Sequence, residues 1–171
     1  MLITSKLIFV KTEYLRFCDY ISRKISGSVD IKTSQITSQI FLGGQYKLKS
    51  IPKIQKLGIT AIVNMRMRSV HPLNTLKGVR YLHLPTPDRM APSLEDLKTG
   101  AAFIKDEVER GGKVYIHCMA GEGRGPTMAL AYLISTGLDM DDAMKLVKKV
   151  RAFIRPTKVQ LEQLKSYSKT L

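Results

Sequence analysis

The sequence predicts an α/β sandwich: a central, mostly parallel sheet of four to five strands with helices on both faces, preceded by an N-terminal helix. Short apolar runs with β-branched or aromatic members alternate with capped, amphipathic helical stretches. A Gly-rich loop joins one such run directly to a helix in the middle of the chain. At 171 residues the chain can bury one sizeable core.

Residues 4–26 form the first helix. Leu7, Val10, Lys11, Tyr14, Phe17, Ile21 and Ile25 recur at helical spacing, with only Lys11 interrupting the apolar stripe, and Gly27 is placed as a cap. Two readings stand: the helix packs on the following domain, or it is a basic amphipathic helix lying on a membrane or partner. Cys18, near the stripe, reads as packing. The domain division is thus 1–33, a helical extension, and 34–171, the folded domain.

Ser34 to Gly44 holds two short strand candidates. Ser50, Pro52 and Gly58 bracket a short helix, with Lys47, Lys49, Lys53 and Lys56 on its solvent side. Thr60 to Asn64 and Val79 to Leu84 read as strands. Ser93, with Asp96 at the capping-box position, starts a helix that runs to about Arg110. Gly111 and Gly112 close it before a strand at Val114 to His117. From Pro126 the pattern is helical up to Gly137, and Asp139 to Arg151 and Pro156 to Ser168 give two more helices.

The stretch Lys113 to Thr136 carries the chemistry. Between its strand and its helix lie eight residues, three of them Gly (Gly121, Gly123, Gly125), with Cys118 first and Arg124 six positions on. A Gly-rich turn feeding a helix N-terminus presents backbone N–H groups and the positive end of the helix dipole, an arrangement suited to an anion. Such a setting favours a thiolate at Cys118, a nucleophile. Arg124 can grip two oxygens of a tetrahedral oxyanion with its planar fork. Sulfur beneath a set of oxygen donors is the geometry for in-line attack on phosphorus.

His117-Cys118-Met119-Ala120-Gly121-Glu122-Gly123-Arg124 resembles the HCxxGxxR signature of the cysteine-dependent protein tyrosine phosphatase superfamily, in its compact dual-specificity branch. The resemblance covers roughly Ser34 to Tyr167. It implies catalysis by Cys118, Arg124 and Asp88, with phosphate held by Met119, Ala120, Gly121, Glu122, Gly123 and Arg124. Asp88, in PTPDRMAPS, looks like the family's general-acid loop: it would protonate the leaving oxygen, then activate water. His117 either orients the loop and tunes the thiol or is a core histidine. Arg155-Pro156 with Gln160 and Gln163 resembles the family's closing motif, whose polar residues back the catalytic loop; Arg155 is expected to brace the core through carbonyl bonds.

Two positions depart from the family pattern. The residue after the Arg is usually Ser or Thr, whose hydroxyl donates to the sulfur; here it is Gly125, and Thr127 is the nearest substitute. Glu122 puts a negative charge at the pocket rim, which argues against polyphosphorylated inositol lipids. The missing long insertions of classical tyrosine phosphatases imply a shallow pocket, open to phosphotyrosine and also to phosphoserine and phosphothreonine. The expected partner is therefore a phosphorylated protein. The layout from Pro85 to Leu171 is also similar to phosphatidylglycerophosphate phosphatase, the lipid alternative; a weakly active relative that only binds phosphorylated partners is the non-enzymatic one. Arg66, Arg68 and Arg89 are candidates to hold neighbouring acidic groups, or plain surface arginines.

Formal net charge is +14, and residues 1–34 hold only six Lys/Arg against three Asp/Glu, so the excess is spread along the chain. Such charge favours phosphorylated substrates and an anionic membrane surface. No stacking aromatics interleave with the basic residues, which argues against nucleic acid. Two Cys without paired spacing suggest a reducing, cytoplasmic setting and no disulfide scaffold. Leu7-Ile8-Phe9-Val10 is too short an apolar run for a membrane span. His71 and His83 show no ligand spacing, so neither metal nor cofactor is expected, and a monomer is the expected state.

Overall fold

The computed structural model describes residues 2–25, 27, 34–69 and 78–171, with side chains from residue 6 onward; His71 lies outside the described residues. Helix α1 (Leu2–Ile25) leads to β1 (Ile40–Gly43), a single 3-10 turn (Leu48–Ser50), α2 (Ile51–Lys56), β2 (Ala61–Asn64) and β3 (Arg80–His83). Then follow α3 (Leu94–Glu109), β4 (Val114–His117), α4 (Arg124–Ser135), α5 (Met140–Val150) and α6 (Lys158–Ser168). The four strands form one sheet in the order β1-β4-β2-β3, and every pairing is parallel.

Successive side chains point to opposite faces of the pleated sheet, and because both faces are covered the strands β1, β2 and β4 are buried at every position. Ile40, Leu42, Ala61, Val63, Val114 and Ile116 point to the face packed by α3, α4, α5 and α6. Phe41, Ile62 and Tyr115 point to the other, where Tyr46, Ile51, Ile54 and Ile59 meet them. β4 sits inside the sheet, between β1 and β2, and is buried at all four positions. The fold class read from the sequence is therefore the one observed, with four strands. The first of the two strand candidates in Ser34 to Gly44 is instead a tight turn. Gln35 bridges back to Phe41, and the Ile36 N–H donates to the Ile40 carbonyl at 2.8 Å.

Helix α4 is buried from Arg124 through Ile134, a helix apolar on nearly every side and wrapped by its neighbours. It starts at Arg124, two residues earlier than the pattern suggested; Pro126 falls in the first turn, where its missing N–H costs nothing. Gly137, at φ 97°, adopts the left-handed conformation that terminates it. The Ser93–Asp96 capping box closes the N-terminus of α3.

Helix α1 presents the face opposite to the one its apolar periodicity suggests. It is tied to the domain through its charged side, where Asp19 is buried and paired with Arg151 and Arg23. Its apolar stripe, with Cys18 beside it, faces solvent. The two expectations for this helix are thus not exclusive: one face docks and the other is left open.

Candidate active site

The site is built where β4 ends and α4 begins. Cys118 is the first residue past the strand, with its Sγ accepting from the Gly121 N–H at 3.3 Å. Gly121 has φ 68°, and a Cβ there would lie 2.5 Å from the Gly43 backbone, so only glycine fits. The carbonyls from Met119 to Gly123 are each held by a donor. Met119 O accepts from the Gln45 N–H at 3.0 Å, and Glu122 O from the Arg155 N–H. Ala120 O and Gly121 O each accept from the Arg151 guanidinium at 2.8 Å. Gly123 O takes the Thr127 N–H and the Thr127 hydroxyl, both at 2.9 Å. Planar peptides whose carbonyls turn outward turn their N–H groups inward, toward the cleft.

That cleft, about 400 Å³, is lined by Cys118, Arg124 and Asp88 together. Arg124 is 7% exposed in its side chain and donates to the Thr86 carbonyl at 2.8 Å and to Asp88 Oδ1 at 2.7 Å. Asp88 is 78% exposed, on the solvent side of the guanidinium. An oxyanion entering the loop can take over the fork of Arg124 and free the Asp88 carboxyl for the leaving oxygen. Arg89, next to it, holds φ 64°, a left-handed position that costs a non-glycine residue about 1 kcal/mol. Helix α6 holds this turn in place: Thr157 Oγ1 donates to Arg89 O at 3.0 Å and Gln160 Nε2 to Met90 O at 2.8 Å.

The other residues singled out in the sequence sit as follows. His117 is buried, stacked on Tyr115 and edge-on to Tyr46, away from the cleft lining. Met119, Ala120, Glu122 and Gly123 line the cleft, while Gly121 forms the turn behind it. Thr127 does not replace the hydroxyl missing at Gly125, because its proton is committed to the Gly123 carbonyl one turn back. Arg155 is half-exposed at the rim, bonded to Glu13, and does not brace the core; Arg151, four residues earlier and fully buried, does that. Gln160 lines the cleft and Gln163 does not.

Glu122 is not a free negative charge. Its Oε1 accepts from Arg16 Nε at 3.0 Å, and that bond raises the Arg16 pKa above its ordinary value. Arg16, Arg89 and Arg155 all reach the cleft wall, so its charge is carried by four arginines against Asp88 and Glu122. Arg66 and Arg68 line an adjoining cleft that shares Asp88, Met119 and Arg124. Sequence reasoning missed Arg16, Asp19, Arg151 and Thr157 as parts of the site. Among the described residues no group of three His, Cys, Asp or Glu side chains converges as metal ligands would.

Gly125 gives a direct test of the missing hydroxyl. A Cβ built there lies 3.6 Å from Cys118 Sγ and 3.2 Å from Leu42 Cδ1, so a serine fits with a small shift of Leu42. We expect Gly125→Ser to speed the second, dephosphorylation step several-fold, since a donor to sulfur stabilises the departing thiolate. The pre-steady-state burst should shrink relative to turnover; an unchanged burst and turnover would remove Gly125 as a brake.

A thiol at the floor of an amide-lined loop, with a buried arginine and an exposed carboxyl on the same cleft, defines a cysteine-dependent phosphatase type of site. Residues 40–170 match the dual specificity phosphatase catalytic domain, and the chain belongs to that family. Dual specificity protein phosphatase 1 of Mus musculus is 33% identical over 71% of this chain and 33% of its own length. The phosphatidylglycerophosphate phosphatase PTPMT2 of Arabidopsis thaliana is 28% identical over 68% of this chain and 54% of its own length. The chain thus spans about a third to a half of these relatives. The crystal structure of Tk-PTP in the active form superposes with a TM-score of 0.76 at 28% identity, covering 82% of this chain and 98% of that one.

Proposed function

We propose that this protein hydrolyses phosphomonoesters through a cysteinyl-phosphate intermediate, as a protein tyrosine or dual-specificity phosphatase. The Cys118 thiolate attacks phosphorus, the P–O bond to the substrate breaks, and Asp88 gives its proton to the leaving oxygen. Asp88, now a carboxylate, takes a proton from water; the water oxygen bonds to phosphorus and the P–S bond breaks, releasing phosphate and thiolate. The loop amides and Arg124 hold the equatorial oxygens through both steps. The convergence of Cys118, Arg124 and Asp88 on one cleft carries this reading. The reaction needs Cys118 reduced, which ties activity to a reducing compartment such as the cytoplasm.

The lipid alternative is favoured by one observation. Because Arg16 neutralises Glu122, the rim no longer argues against an anionic headgroup, and Arg89 and Arg155 add positive charge beside it. Turnover of phosphotyrosyl, phosphoseryl and phosphothreonyl peptides, measured beside phosphatidylglycerophosphate, separates the two. The phosphotyrosyl peptide is expected to lead; a preference of about tenfold or more for the lipid, a 1.4 kcal/mol difference in transition-state binding, would overturn the protein-substrate reading.

A further inference from the structure

We propose that the outward face of α1 is a docking surface for an anionic lipid bilayer, on which the helix lies flat beside the catalytic cleft. Leu7, Val10, Tyr14, Phe17 and Ile25 form one stripe along this helix, and their exposure runs from 60% at Phe17 to 72% at Ile25. An open apolar stripe of this length on a water-facing helix marks a contact surface. Its charge says which kind.

The helix has two acidic residues, and both are committed to its inner face. Glu13 pairs with Arg155 and Arg16, and Asp19 with Arg151 and Arg23. What remains outside is apolar surface edged by the exposed Lys6, Lys11 and Lys24. Lysines at the edges of an apolar stripe can run their stems along hydrocarbon and keep their ammonium groups among phosphates. A second copy of the chain fits poorly, since it would set two chains of net charge +14 face to face, lysine edge against lysine edge. No helix among the described residues is long and apolar enough to cross a bilayer, so the contact is with the surface.

The position of the helix gives the contact a consequence. Arg16, on its inner edge, lines the catalytic cleft, and Met119 of the phosphate loop is exposed next to Phe17 and Tyr20. A bilayer against the stripe therefore lies alongside the cleft. This holds whichever phosphoester is cleaved.

The chain contains no tryptophan, so Val10→Trp is a lone fluorescent reporter. With the full chain and vesicles of phosphatidylglycerol and phosphatidylcholine, its emission is expected to shift to the blue. Pure phosphatidylcholine vesicles should give a much weaker shift, and added salt should reduce the anionic response. The double substitution Val10→Glu/Tyr14→Glu is expected to lower vesicle co-sedimentation at least tenfold and to leave para-nitrophenyl phosphate turnover in solution unchanged. No partition onto anionic vesicles would overturn the proposal. So would binding with unshifted emission, which means another face makes the contact, or a lipid-free dimer that buries residue 10. Loss of turnover in the Cys118 variant discussed below bears on the reaction and leaves this test untouched.

Discussion

Replacing Cys118 by serine is expected to lower turnover of para-nitrophenyl phosphate by about four orders of magnitude or more. The change removes one property only. Serine keeps the shape of the thiol at a position packed in the core, so the fold and the amide-lined loop should survive. But an alcohol is a poor nucleophile without a base to take its proton: in this step Asp88 holds its own proton for the leaving oxygen, and Glu122 is paired with Arg16. The phosphate cradle does not depend on sulfur: the loop carbonyls stay pinned by Arg151, Gln45, Arg155 and Thr127. Binding of a phosphotyrosyl peptide to Cys118→Ser should therefore persist near wild-type affinity while turnover disappears. Residual turnover above about one per cent, with the fold intact, would mean that another group attacks phosphorus. Wild-type protein that binds phosphopeptides and turns none over would instead make the chain a phospho-binding relative.

The strand, loop and helix that carry Cys118 and Arg124 were legible because their signals are local. A β-branched run ending at a cysteine, glycines where the backbone must turn sharply, and a 3.6-residue period afterwards are all contained in about two dozen residues. The short apolar runs that alternate with capped helical stretches are equally local, and so the two-sided sheet followed. What could not be read is how side chains far apart in sequence choose partners. The apolar stripe of α1 suggested its buried side, yet the docking face is the charged one. Asp19 meets Arg151 and Arg16 meets Glu122 across separations of 132 and 106 residues, which leave no periodic trace. The same gap explains the arginines near the C-terminus. Arg155 sits in the motif-like stretch, but α5 ends so that Arg151 enters the core, and only tertiary placement distinguishes them. The partner of Thr127 was hidden for a different reason: within a helix, a threonine hydroxyl finds the carbonyl one turn back before it finds a distant sulfur.

Arg151→Ala is expected to lower stability by about 3–5 kcal/mol, because it breaks a buried ion pair from the side that also supports the loop. Arg151 is fully buried, its guanidinium over the Phe153 ring with 4.4 Å to the centroid. It donates to the carbonyls of Ala120 and Gly121 and to both oxygens of Asp19, itself only 4% exposed. Truncation leaves the Asp19 carboxylate with Arg23 alone and removes Arg151's donors from two carbonyls of the phosphate loop. With a slope of ~2 kcal/mol per molar urea, the unfolding midpoint should fall by about 2 M. Arg151→Lys keeps the charge but lacks the planar fork, so it cannot serve Asp19 and both carbonyls at once and should fall between. Asp19→Ala tests the other side: the loop keeps both of its bonds to Arg151, so this variant should weaken the seating of α1 more than catalysis. If Arg151 acts on the loop, kcat/KM for its alanine variant will drop further than the loss of folded protein accounts for. For Asp19→Ala it will not. Equal losses in the two variants would show that the ion pair, and not the grip on the two carbonyls, sets the geometry of the loop.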